Sequence, residues 1–105
     1  NGRVAAPRWP GIPFAAVAPG VEVVVPAPNA SYTLMSGSSL AAAHVTGVAA
    51  LLLQQTPQAT PDRIRTVLRA TARPVAGSTP AGVPRLGLLD ACAALARQNP
   101  TLACP

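Results

Sequence analysis

The residues whose types and spacing could do chemistry are concentrated at Ser36-Gly37-Ser38-Ser39, where a serine and glycine cluster runs directly into an apolar segment, and at His44 five positions beyond Ser39. A serine hydroxyl is a weak nucleophile until a base takes its proton, and that base needs an orienting carboxylate. Gly37 permits a tight turn of the backbone. Ser38 or Ser39 could then cap the first turn of a following helix and leave a hydroxyl beside unpaired N–H groups. Such a place suits an attacking oxygen and a developing oxyanion. The plainer reading of Ser39 is a helix cap and nothing more.

His44 is the chain's single histidine. On a helix it falls about 140° around the axis from Ser39, so it is not expected to serve as that hydroxyl's base. A satisfied core histidine is the simpler role, and a metal role lacks a second ligand nearby. Asp62 and Asp90 follow the serine and are better explained as helix-start residues.

These groups must be positioned by the elements around them. Leu40–Leu53 is apolar on nearly every face, interrupted only by His44, Thr46 and Gly47, which predicts a helix enclosed by protein on all sides. Gly47 is expected to allow close helix packing. The segment is too short to span a bilayer. Upstream, Phe14–Val17 predicts a short strand, Ala18-Pro19-Gly20 a turn, and Val21–Val25 a buried β-branched strand. Residues 26–30 read as a loop and Ser31–Met35 as an extended arm feeding the serine turn. Downstream, Thr60-Pro61-Asp62 is a strong helix start: a capping hydroxyl, a proline at the first helical position and an acid at the positive end. Ile64, Val67, Leu68 and Thr71 form one stripe with Arg65 and Arg69 facing away, so this helix packs on one side until Pro74 stops it. Residues 75–84 are rich in Gly, Ser and Pro and read as surface loop, and Leu86–Asp90 leads into a last helix.

The organisation expected is therefore a loop over 1–13, strands and turns over 14–38, a serine-bearing helix over 39–55, an amphipathic helix over 60–73, a strand and terminal helix over 86–98, and a tail over 99–105. The fold class is α/β. With 105 residues, half of them hydrophobic but only three aromatic, the core must be built from Ala, Val and Leu and stays modest.

The formal charge of +5 comes from eight arginines against Glu22, Asp62 and Asp90. The arginines are scattered and no aromatic residues interleave with them, so a solvated basic face is expected and a nucleic-acid partner is not. Cys92 and Cys104 could close a small loop as a disulfide, which would fit an exported protein, or remain as two thiols. No transmembrane segment is read in the sequence, and no cofactor or metal site is implied.

Ser36-Gly37-Ser38-Ser39-Leu40-Ala41-Ala42-Ala43-His44-Val45-Thr46-Gly47 closely resembles the nucleophile block of subtilisin-like serine proteases, usually written Gly-Thr-Ser-Met-Ala-Xaa-Pro-His-Val-Ala-Gly. On this match Ser39 is the catalytic nucleophile, Ser38 replaces the usual Thr, and Ala43 stands where a Pro is usual. Ala18-Pro19-Gly20 also matches the family in type and order. So do the Thr-Pro helix start, the glycine-containing strand and the Ala-rich last helix, so the resemblance runs from about Phe14 to Leu95.

The resemblance implies the C-terminal portion of a three-layer subtilisin-like fold, with His44 structural. The catalytic histidine, its aspartate and the oxyanion asparagine would lie upstream of the matched residues. Asn1 and Asn29 are too close in sequence to occupy the family's asparagine position. The implied function is peptide-bond hydrolysis through an acyl-enzyme. It would act on a polypeptide substrate and would be completed by a missing N-terminal portion of the domain or by a companion chain, in a secreted or periplasmic protein. The 105 residues alone are expected to be inactive and to expose a large apolar patch. The alternative, from a different class, is a catalytically silent module that keeps the scaffold for binding or structural purposes.

Overall fold

The structure, a computed structural model, describes residues 14–75 and 85–105. The loop expected over 1–13, with Trp9, and most of that expected over 75–84 lie outside the described residues. In chain order the elements are β1 (Phe14–Val17), β2 (Val23–Ala27), β3 (Ser31–Met35), α1 (Ser38–Gln55), α2 (Pro61–Thr71), β4 (Arg73–Pro74), β5 (Arg85–Leu88) and α3 (Ala91–Gln98). The mixture is α/β.

Two sheets form. In the first, ordered β1-β5-β4, β1 and β5 run parallel from Phe14↔Arg85 to Val17↔Leu88, and β4 joins β5 antiparallel. The second is the β2–β3 hairpin, antiparallel from Val23↔Met35 to Ala27↔Ser31. Its three-residue loop places Asn29 at φ 63° and Ala30 at φ 54°, and the Ser31 hydroxyl closes it by donating to the Pro28 carbonyl at 2.7 Å. The strand expected over 21–25 is displaced to 23–27, because Glu22 at φ 51° leaves the ladder. Pro26 is then inside a strand, opposite Tyr32, which a two-stranded ribbon tolerates when the missing N–H falls on its outer edge. β4 was not anticipated, since Pro74 stops the helix but leaves the chain free to pair with β5.

The helices build the core. Val48 and Leu52 of α1, Ile64 and Val67 of α2 and Ala94 of α3 are its buried members, with Leu52, Val67 and Ala94 at 0% exposure. α2 starts as its sequence demands: the Thr60 hydroxyl accepts from the Arg63 N–H at 3.1 Å, Pro61 is the first helical residue, and Asp62 pairs with Arg65 at 2.6 Å. α3 is capped by Asp90, whose one oxygen accepts from the Ala93 N–H at 2.9 Å while the other meets Arg73 Nε at 3.0 Å, tying β4 to the helix start. The Thr56 hydroxyl donates to Gln98 Oε1 at 3.0 Å and joins the far ends of α1 and α3. Cys92 and Cys104 are bonded, with Cα atoms 5.7 Å apart, so the tail after α3 is stapled back onto it.

One expectation is corrected by this arrangement. α1 is not enclosed in this chain: only Val48 and Leu52 are buried along it, while Leu51 and Leu53 are 45% and 40% exposed. Among the described elements α2 and α3 cover a single side, and none forms a layer over the others. Val21, Val24, Tyr32, Leu34 and Met35 of the hairpin region are exposed as well.

Candidate functional site

α1 begins at Ser38, so Ser39 lies in its first turn, and it is exposed. Neither serine caps the helix. The N-cap position is Gly37, whose backbone is extended, and no side chain bonds back to the first turn. With both serines inside the helix, the cap expected of them is replaced by backbone contacts. The Gly37 N–H donates to the Gly20 carbonyl at 2.7 Å, and the Gly37 carbonyl accepts from the Leu40 N–H at 3.1 Å. Among the described residues the Ser39 hydroxyl has no hydrogen-bond partner, which leaves it available beside first-turn N–H groups that a helix cannot satisfy internally.

The turn rests on Gly20. A β-carbon there would stand 2.9 Å from the Gly37 carbonyl oxygen and 3.3 Å from Ala41 Cβ. The Glu22 N–H donates to the Ser36 hydroxyl at 2.9 Å, a second tie between the Ala-Pro-Gly turn and the serine cluster. Sequence reasoning recognised Gly20 only as part of a turn and gave Ser36 no role. Neither contact has a local signal, because each joins segments far apart in the chain.

His44 is satisfied but not buried. Its Nδ1 lies 2.9 Å from the Leu40 carbonyl one turn back, and since a carbonyl only accepts, Nδ1 carries the proton. The Nδ1–H is thereby committed to its own helix, and the expected core environment is absent because no described element covers that side of α1. Gly47 is likewise exposed, and a β-carbon on it would meet nothing within 4 Å, so the close packing expected there is not present among the described residues. Tyr32 is 74% exposed.

A concavity among the described residues lies elsewhere. An open apolar groove of about 660 Å³ runs between α1 and α2, lined by Val45, Ala49 and Leu53 of α1, by Ile64 and Leu68 of α2 and by Ala16 of β1. Ser39 does not line it. Among the described residues no three His, Cys, Asp or Glu side chains gather as a metal site would require, and no helix is long and apolar enough to cross a membrane.

Residues 7–94 match the model of the subtilase family. The chain is 42% identical to fervidolysin from Fervidobacterium pennivorans, over 60% of its own length and 10% of that protein. It is 39% identical to subtilisin DY from Bacillus licheniformis, over 59% of its length and 23% of that protein. Among solved structures, a protease from Pseudoalteromonas arctica PAMC 21717 superposes with a TM-score of 0.56 at 42% identity, covering 66% of this chain and 20% of the other. The chain therefore spans less than a quarter of each of these relatives. With the family model matched along most of the sequence, the chain belongs to the subtilase family.

Proposed function

We propose that this chain is the nucleophile-bearing, C-terminal part of a subtilisin-like serine endopeptidase domain and that Ser39 is the nucleophile. The observation that carries the reading is an exposed serine with an uncommitted hydroxyl, in the first turn of α1, inside the family-matched segment. In the completed enzyme the Ser39 oxygen attacks the substrate carbonyl while a histidine takes its proton. The Ser39 N–H supplies half of the oxyanion hole. The leaving amine departs with that proton, and water then releases the acyl group from Ser39. His44 does not take this role, because five residues along α1 turn it about 140° around the helix axis from Ser39.

The histidine, its aspartate and an asparagine come from an N-terminal portion of the same domain or from a companion chain. The open groove between α1 and α2 and the uncovered faces of α1 support that reading, being apolar surface in search of a partner. The Cys92–Cys104 bond supports an exported protein, where disulfides persist. No cofactor is invoked.

Combining this chain with the upstream portion should yield peptidase activity that a fluorophosphonate abolishes and that Ser39→Ala removes. Labelling of another residue would overturn the assignment. The isolated chain should hydrolyse nothing. A catalytically silent module is the second reading, supported by the absence of any base for Ser39 among the described residues. An upstream sequence without an Asp, His and Asn in subtilase contexts would favour it.

A further inference from the structure

The β2–β3 ladder ends at the Val23↔Met35 pair, yet the two segments stay joined beyond it by other means. Counting outward, Glu22 faces Ser36 through the 2.9 Å bond to its hydroxyl, and Gly20 faces Gly37 through the 2.7 Å backbone bond. Val21 is thus an extra residue on one strand, 69% exposed and opposite nothing. One strand with a residue to spare is the arrangement of a β-bulge, which bends the chain and re-aims the residues next to it.

Glu22 carries the backbone distortion. Its φ of 51° lies in the left-handed region, where glycine is at ease and glutamate is not. Such a conformation persists only where its surroundings over-determine it. Here the Glu22 N–H, turned out of the ladder, finds no backbone carbonyl and is received by the Ser36 hydroxyl. An alanine at position 36 has nothing to offer it.

We propose that Ser36 is a positioning residue for Ser39. Its hydroxyl latches the bulge; the latched bulge places the Gly20 carbonyl; that carbonyl holds the Gly37 N–H; and the Gly37 carbonyl receives the Leu40 N–H at 3.1 Å. Ser39 lies between Gly37 and Leu40, so its place is set by a continuous run of contacts that begins at Ser36. The kinetic consequence rests on Ser39 being the nucleophile, whereas the latch itself does not.

The test has two arms. In the chain alone, followed by amide hydrogen exchange, Ser36→Ala should speed exchange at Glu22 and Gly37 together by about tenfold, the scale of one lost hydrogen bond. Ile64, in the first turn of α2, should be unaffected, and Ser36→Thr, which keeps the hydroxyl, should restore protection. In the enzyme completed by its upstream portion, Ser36→Ala should lower kcat by about tenfold or more with KM unchanged, as expected of a displaced nucleophile. Unchanged exchange at Gly37 would overturn the latch, and unchanged kcat would overturn the positioning role. If Ser39 of the unsubstituted, completed enzyme proves inert to fluorophosphonate, the nucleophile reading fails, while the exchange pattern still decides the latch.

Discussion

Gly20 and Gly37 meet backbone to backbone, the N–H of the second donating to the carbonyl of the first at 2.7 Å. No side chain intervenes, and there is no room for one on Gly20. The Ala18-Pro19-Gly20 turn is therefore the seat on which the start of α1 rests, and the serine cluster inherits its position from it.

Gly20→Ala puts that seat to the test. Its new β-carbon would fall 2.9 Å from the Gly37 oxygen, a backbone atom that can only move by moving the turn. The variant should lose about 1–3 kcal/mol of stability, as overpacked sites do. Urea unfolding measures the loss, and a variant as stable as the parent would show that the turn gives way freely.

Leu52 and Leu51 are neighbours on α1 with opposite surroundings, 0% and 45% exposed. Leu52→Ala should cost about 2–5 kcal/mol because it empties the centre of the helical core. Leu51→Ala should cost much less in the isolated chain. Thermal or urea unfolding of the pair distinguishes them, and equal losses would mean that α1 packs on more than one side.

The Cys92–Cys104 bond closes a short loop around the end of α3. Replacing both residues by serine should remove about 2–3 kcal/mol, the scale expected when a loop of this size is no longer constrained in the unfolded chain. Reduction with dithiothreitol should give the same shift in the unfolding midpoint, and no shift would show the staple to be energetically idle.

Ala30 at φ 54° sits in the hairpin loop in a conformation that its β-carbon disfavours. Ala30→Gly should stabilise the protein by about 0.5–1 kcal/mol, the relief of left-handed strain less the added freedom of the unfolded glycine. A lower unfolding midpoint would contradict this.

Legibility in the sequence tracked the range of the interactions. The α2 start was legible because a cap, a first-turn proline and an acid act within four residues of each other, and Thr60, Pro61 and Asp62 sit as those rules require. The β2 boundary was not, since the residue that shifts it, Glu22, is left-handed and is bonded to Ser36 across the hairpin, a contact between segments far apart in the chain. The serine cap on α1 also failed to form: the local rule was outweighed by the long-range contact between Gly37 and Gly20.

By itself the sequence determined the family and the residue proposed to carry its chemistry, because the Ser36–Gly47 motif and the helix-start signals are local patterns that need no partner to be read. Only the tertiary structure decided what surrounds them. It showed that the Ser39 hydroxyl is left without a partner among the described residues, that His44 is bound to its own helix in the open, that Cys92 and Cys104 are joined, and that the described elements cover α1 on one side alone. Each of these depends on which distant segments come together and which surfaces remain without a neighbour, and periodicity along one chain carries no record of that.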